Sequence, residues 1–332
     1  ESNCVTVKIP KTSNCTVIGD LHGQLDDLLM VFREIDLPNN TNYIIFNGDF
    51  VDRGSYSNEV VLSILAFRAL DPTHVFLNRG NHECSDMNAV DGFQRECELK
   101  YNIQLYWFFN FVFATLPVSH IIQIAHQRIF VVHAGLSFDD ITINDMNNAS
   151  RFLLTFPMSS ILQDLIWSDP FDGVGRLVSR RGAGCQFGID VVQRFLIQNN
   201  IHLILRSHEC EDNGFALWFE NRLYTIFSAS DYCGDSNNYG AFCVLSNAPA
   251  PQIRVYMAKK QVVKYSERML RIRQALLIKL MVRIKSKIFQ IEQLLIHLSY
   301  KRNTPGFVQT YVWSYALSVV LSLDLLLIRF AS

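Results

Sequence analysis

Along the first half of the chain, short apolar runs alternate with longer stretches in which apolar residues fall three and four places apart. "TVIGD", "YIIFNGD", "HVFLNRG" and "RIFVVHAG" each read as a strand that runs out into polar residues. Between the early runs, "QLDDLLMVFREI" and "SNEVVLSILAFRAL" have the spacing of helices that bury one face. After residue 200 the runs crowd together as "HLILRS", "FALWF", "LYTIFSAS", "GAFCVLS" and "QIRVYM". The pattern predicts α/β units followed by a β meander, in sheets with helices on their outer faces.

The C-terminal part reads differently. Residues 266–299 hold neither Pro nor Gly, and Leu270, Leu277, Ile284, Ile291 and Leu298 recur every seven positions, with Met281, Ile288 and Leu295 between them. A long helix, or two in line, is expected, burying its apolar seam against the same chain. "KRNTPGFVQTYV", residues 301–312, has glycine at the sixth place and an apolar residue at the eighth, as an EF-hand loop does. Lys301, Pro305 and Val312 stand where ligand oxygens belong, so a decayed hand that does not bind calcium is expected. Residues 311–331 are apolar enough to consider as a membrane anchor, but Asp324 interrupts them, and a soluble helix is preferred.

Charge sharpens the boundary. With 49% hydrophobic and 18% charged residues, the 332-residue chain can bury a sizeable core, and its net charge is only −1. That total hides an asymmetry, because residues 1–263 carry 19 basic and 28 acidic side chains while residues 264–287 carry eight basic and one acidic. Two regions are therefore expected, 1–263 and 264–332. The basic stretch suits the acidic body or an acidic partner such as calmodulin; no nucleic-acid partner is expected. Eight cysteines form no C-x-x-C pair, which favours reduced thiols and the cytoplasm, with the nucleus as the alternative. No secretory signal opens the chain, which begins with Glu1.

The candidate chemistry sits where strands end. "GDLHG" supplies Asp20 and His22, "GDFVDRG" supplies Asp49, Asp52 and Arg53, and "GNHE" supplies Asn81 and His82. "VVHAG" adds His133 and "LRSHEC" adds His208. Ligands in α/β sheets gather at such ends. Carboxylates, imidazoles and one amide suit Mn, Fe or Zn, and suit neither an all-oxygen calcium cage nor a Cys-based zinc site. Taken singly, each piece has a plainer explanation: a "GD" is a turn, a buried histidine a hydrogen-bonded core residue, an arginine a solvated charge. Five strand ends carrying such groups together point to a site.

"GDLHGQ", "GDFVDRG", "RGNHE", "HAGLS" and "FSASDYCG" resemble the signature of the Ser/Thr phosphoprotein phosphatases, within the metallophosphoesterases, over residues 17–257. The resemblance implies a β-sandwich flanked by helices, four layers in the order α/β/β/α, with a C-terminal helical appendage. It implies that Asp20, His22 and Asp49 hold one metal, and that Asp49 bridges to a second completed by Asn81, His133 and His208. Arg53 and Arg181 would clamp phosphate, Asn81 would also face it, and Tyr232 would close the site. A hydroxide bridging two divalent ions, Mn above Fe or Zn, would attack a phosphoserine or phosphothreonine in line. His82 would then protonate the leaving alkoxide, with Asp52 as its orienting partner.

Two positions depart from the common pattern. Ser230 and Asp231 stand where that family usually has Pro and Asn, and a carboxylate at 231 would repel phosphate unless it points away. "RSHEC" and "FSAS" are more like the EF-hand-containing, retinal-degeneration type. Two further functions stay open: a phosphatase-like scaffold without turnover, and a metallophosphoesterase acting on nucleotides.

Overall fold

The computed structural model describes residues 2–258 apart from Asp36. The expected heptad helix, the loop 301–312 and the apolar run 311–331 lie outside the described residues.

In chain order the elements are β1 (Cys4–Ile9), β2 (Asn14–Ile18), α1 (Leu25–Glu34), β3 (Asn42–Phe46), α2 (Ser57–Leu70) and β4 (Val75–Leu77). Then come α3 (Ser85–Asn88), α4 (Phe93–Lys100), α5 (Ile103–Thr115), β5 (Ser119–Ile124), β6 (Gln127–Val132), α6 (Ile143–Asn148) and α7 (Ile161–Trp167). The last are β7 (Asp169–Pro170), β8 (Arg176–Val178), β9 (Cys185–Phe187), α8 (Ile189–Asn199), β10 (Leu203–Arg206), β11 (Phe215–Trp218), β12 (Leu223–Ile226), β13 (Gly240–Leu245) and β14 (Gln252–Tyr256).

Two sheets carry the fold. One runs β1-β5-β6-β10-β12-β11 and the other β14-β13-β2-β3-β4; a small third sheet runs β7-β9-β8. Side chains alternate across each strand, so every inner strand feeds two cores. Val17, Ile45, Val131, Leu205, Ile226 and Cys243 meet between the sheets. Their neighbours Ile18, Ile44, Phe46 and Phe242 turn outward onto α1, α2, α4 and α5. On the opposite side, Phe130, Val132 and Ile204 pack against α7 and α8 through Leu165, Ile166, Val192 and Phe195. These are the four layers α/β/β/α that the resemblance implies. Strands buried on both faces read as near-continuous apolar runs, which is why "YIIF" and "LILR" show no polar alternation.

The strands after residue 200 do not form a simple meander. β10 lies parallel to β12, with β11 returning antiparallel beside β12, whereas β13 and β14 join the other sheet next to β2. Close spacing of apolar runs reports how many strands there are, and their partners are decided by which core each face can fill. A parallel bridge between Asp20 and Phe227 ties the two sheets together at one end. The C-terminal ends of β2, β3, β4, β6, β10 and β12 are brought to that same end by parallel pairing within each sheet.

Arg79 fixes one loop of this end. It is fully buried, donating through Nη1 and Nη2 to the carbonyls of Leu153 and Leu154, each at 2.8 Å, and through Nε to Glu83 at 3.1 Å. Its guanidinium lies over the Phe156 ring, 4.5 Å from the centroid. Arg79→Leu would leave three carbonyls without their donor, and a loss of roughly 2–4 kcal/mol is expected in denaturant unfolding. An unchanged midpoint would contradict this account of the loop.

Candidate metal centre

Three of the five strand ends, those of β2, β3 and β10, deliver their residues through a tight, unusual backbone. His22, Asp49, Asp52, Arg53 and His208 all adopt left-handed φ, between 41° and 75°, although none is glycine. Such conformations cost energy and collect where function fixes the geometry. The neighbouring glycines leave room for close approach. A Cβ on Gly80 would meet Asp49 Oδ1 at 2.3 Å, and one on Gly48 would meet His133 Nδ1 at 2.7 Å.

The result is a cluster of acceptors facing one another. His22 Nε2 lies 3.6 Å from both Asp20 Oδ2 and Asp49 Oδ2, and His133 Nε2 lies 3.3 Å from Asp49 Oδ1. Asn81 Oδ1 lies 3.0 Å from His133 Nε2, whose own neighbour His208 Nδ1 is 3.2 Å away. Asp20 Oδ2 and His208 Nε2 are buried without a hydrogen-bond partner. Carboxylate, amide and imidazole acceptors converge in this way when a cation is meant to lie among them. These residues fit divalent ions: Asp20, His22 and Asp49 would hold one and Asn81, His133 and His208 another, and Asp49 lies among the candidate groups on both sides.

The backbone sets the ring orientations. His22 Nδ1 donates to the Val51 carbonyl at 3.0 Å, and His133 Nδ1 donates to that of Asn47 at 2.8 Å, leaving each Nε2 for the centre. Beside it, His82 Nδ1 is 2.7 Å from Asp52 Oδ2, and Asp52 Oδ1 accepts the Phe93 amide hydrogen at 2.9 Å. Arg53 pairs with Asp91 at 3.0 Å and Arg181 with Asp169 at 2.5 Å. The Tyr232 ring tilts over His22, centroids 5.1 Å apart, with its edge against Phe227.

Residues 14–212 match the calcineurin-like phosphoesterase family. The chain belongs to that family. It is 44% identical to serine/threonine-protein phosphatase T of Trypanosoma brucei brucei over 242 residues, 72% of this chain and 50% of that protein. It is 41% identical to serine/threonine-protein phosphatase 5 of Homo sapiens over 259 residues, 77% of this chain and 51% of that protein. The chain spans about half the length of these relatives. A solved protein serine/threonine phosphatase from Saccharomyces cerevisiae, with similarity to human phosphatase PP5, superposes with a TM-score of 0.72 at 34% identity. That match covers 79% of this chain and 85% of the yeast one, and places the phosphoesterase with the phosphatase 5-like branch.

Electrostatics favour positive charge at the phosphoesterase centre. Burial pushes the His22 and His133 values down, but the Asp20 and Asp49 carboxylates outweigh it and raise both to about 9. Asp49 is likewise opposed by burial, yet His133, His82 and His22 hold its carboxyl well below the usual range. His208 stays neutral, driven down by burial and then by the neighbouring His133, Arg181 and Arg206. Protons on His22 and His133 thus do part of what divalent ions would do.

Several supporting residues escaped the sequence reading. Glu83 accepts the amide hydrogens of Asp49, Phe50 and Gly80 at 2.8, 2.8 and 2.9 Å, clamping two ligand loops together; burial, then Asp49, raises its carboxyl to about 7. Asn47 donates to the Val132 carbonyl and Ser207 Oγ, linking the sheets beneath His133. Asp169 is shared between Arg181 and the buried Arg206. Glu83 lies inside "GNHE", so that motif contained the signal; Asp169, in "WSDP" at residues 167–170, lies outside the five motifs, and Asp91 sits in an ordinary "DG" turn that carries none. Asp231, expected to repel phosphate, accepts the Asn237 amide hydrogen at 3.4 Å within its own loop. Ser230 turns its hydroxyl to Asp27 at 2.6 Å.

An imidazole must shed its proton to ligate a metal. Loading the metal-free protein with Mn at pH 7.5 should therefore release about two protons per chain, seen as buffer-dependent heat in calorimetry. Buffer-independent heat would show that His22 and His133 do not carry the protons assigned to them. The same raised values stabilise the metal-free fold below the ordinary histidine range, and that stability should fade as pH climbs through about 9.

Proposed function

We propose that the chain is a dimetal protein serine/threonine phosphatase. The observation that carries this is the joint placement of the six-residue acceptor cluster, the His82–Asp52 pair and two arginines at one end of the sandwich. Divalent ions bound there, Mn before Fe or Zn, would activate the attacking water and neutralise developing charge. The chain's own groups do the rest. Arg53 and Arg181 offer guanidinium N–H groups to the phosphoryl oxygens, and Asn81 offers its amide. Asp52 holds His82 Nδ1, which leaves Nε2, 4.0 Å from Asp49 Oδ2, free to hand a proton to the departing serine or threonine oxygen. Burial raises the Tyr232 hydroxyl still further above its ordinary value, so it is a neutral donor, its ring beside His22.

Finer features belong to the same proposal. "RSHEC" and "FSAS" favour the EF-hand-containing subgroup, and the basic stretch 264–287 suits an acidic, calmodulin-like partner. Among the described residues no helix is long and apolar enough to cross a membrane. Eight unpaired thiols, six of them buried, suit a reducing compartment such as the cytoplasm.

Phosphopeptides carrying phosphoserine or phosphothreonine should be hydrolysed when Mn is present and not after chelation. Turnover of dinucleoside polyphosphates alone would overturn the protein-substrate reading. His82→Asn should keep its metals yet lose about 10²–10⁴-fold in kcat on phosphoserine. The loss should be smaller on aryl phosphates, whose leaving groups need the proton less. Equal losses on both would take His82 out of the proton-donor role.

A further inference from the structure

One carboxylate at the centre's rim is assigned nothing by the reaction above. Asp91 sits in the turn between α3 and α4, with Oδ1 3.0 Å from Arg53 Nη1 and Oδ2 4.0 Å from His82 Nδ1. Its carbonyl accepts the Arg53 amide hydrogen at 3.2 Å, so backbone and side chain of the arginine are both tied to this one residue. The turn is stitched to the same loop again where Asp52 accepts from Phe93. Gly92, with φ of 126°, makes the turn tight enough for this. The pair is only partly screened: the Arg53 side chain is 40% exposed and that of Asp91 17%.

This arrangement differs from that of the other rim arginine. Asp169, the partner of Arg181, divides its charge with a second arginine, the buried Arg206, whereas Arg53 is the one arginine that Asp91 pairs with among the described residues, its other oxygen lying 4.0 Å from His82 Nδ1. A phosphate dianion arriving at Arg53 therefore meets a guanidinium whose orientation is already fixed and whose Nη1 is already engaged. Bidentate capture, which would use parallel N–H groups, has to compete with Asp91.

We infer that Asp91 is a positioning residue that sets how tightly Arg53 grips phosphate: it aims the guanidinium and weakens the hold on product. The inference rests on the phosphatase reading. In the Mn-loaded full chain, inorganic phosphate binding is measured by calorimetry, alongside kcat and KM on an aryl phosphate. Asp91→Asn keeps the shape and removes the charge. It should tighten phosphate about three- to tenfold and lower KM, with kcat falling as product release slows. Asp91→Glu should restore near wild-type affinity. In an Arg53→Ala background the Asp91→Asn effect should vanish. Unchanged or weaker phosphate binding in Asp91→Asn overturns the inference, as does equal tightening without Arg53. Asp91→Ser removes the same charge and answers the question should the amide variant fail to fold. A wild-type chain that binds no phosphate would sink the phosphatase reading, and this inference with it.

Discussion

The Asp49 carboxylate lies 3.3–4.0 Å from imidazole nitrogens of His22, His82 and His133, in a place that solvent barely reaches. Isolated, a buried carboxylate would take up a proton. Here three rings from three strand ends keep it ionised, and it in turn holds protons on two of them. That mutual dependence explains the local architecture. Asp49 must enter with left-handed φ, Gly80 must lack a side chain, and Glu83 must hold the Asp49 amide so that the carboxylate cannot swing away.

The sandwich exists to bring those ends together. β2, β3 and β4 in one sheet and β6, β10 and β12 in the other point the same way, and the Asp20–Phe227 bridge closes the gap between them. Asp20 alone connects three parts of the centre: its Oδ1 accepts from the His208 amide at 3.0 Å, its Oδ2 faces His22, and its backbone pairs across the sheets.

Much of this was legible in the residues because ligand chemistry and strand ends coincide in sequence. "GDLHG" and "GDFVDRG" name both the acceptors and the glycines that let them approach. The helices α1 and α2 were legible because their apolar spacing is regular. What could not be read was pairing across sheets: nothing in "GAFCVLS" says that Phe242 sits beside Ile18 while β11 stays with β12. α5 was equally opaque, since "IQLYWFFNFVFAT" is apolar all round and has little polar face to mark it. Support residues were hidden for a different reason. Glu83 and Asp91 act through distances of about one hydrogen bond to loops 30 or more residues away, and no local pattern reports such a contact.

The central claim is that Asp49 belongs to two metal sites at once. Metal analysis of the purified full chain tests it most directly, comparing wild type with Asp49→Asn after loading with Mn and removal of excess. The account predicts two ions per wild-type chain, and in the variant a loss that strips or weakens both sites. Two tightly held ions in Asp49→Asn, released no faster by chelator than from wild type, would contradict it.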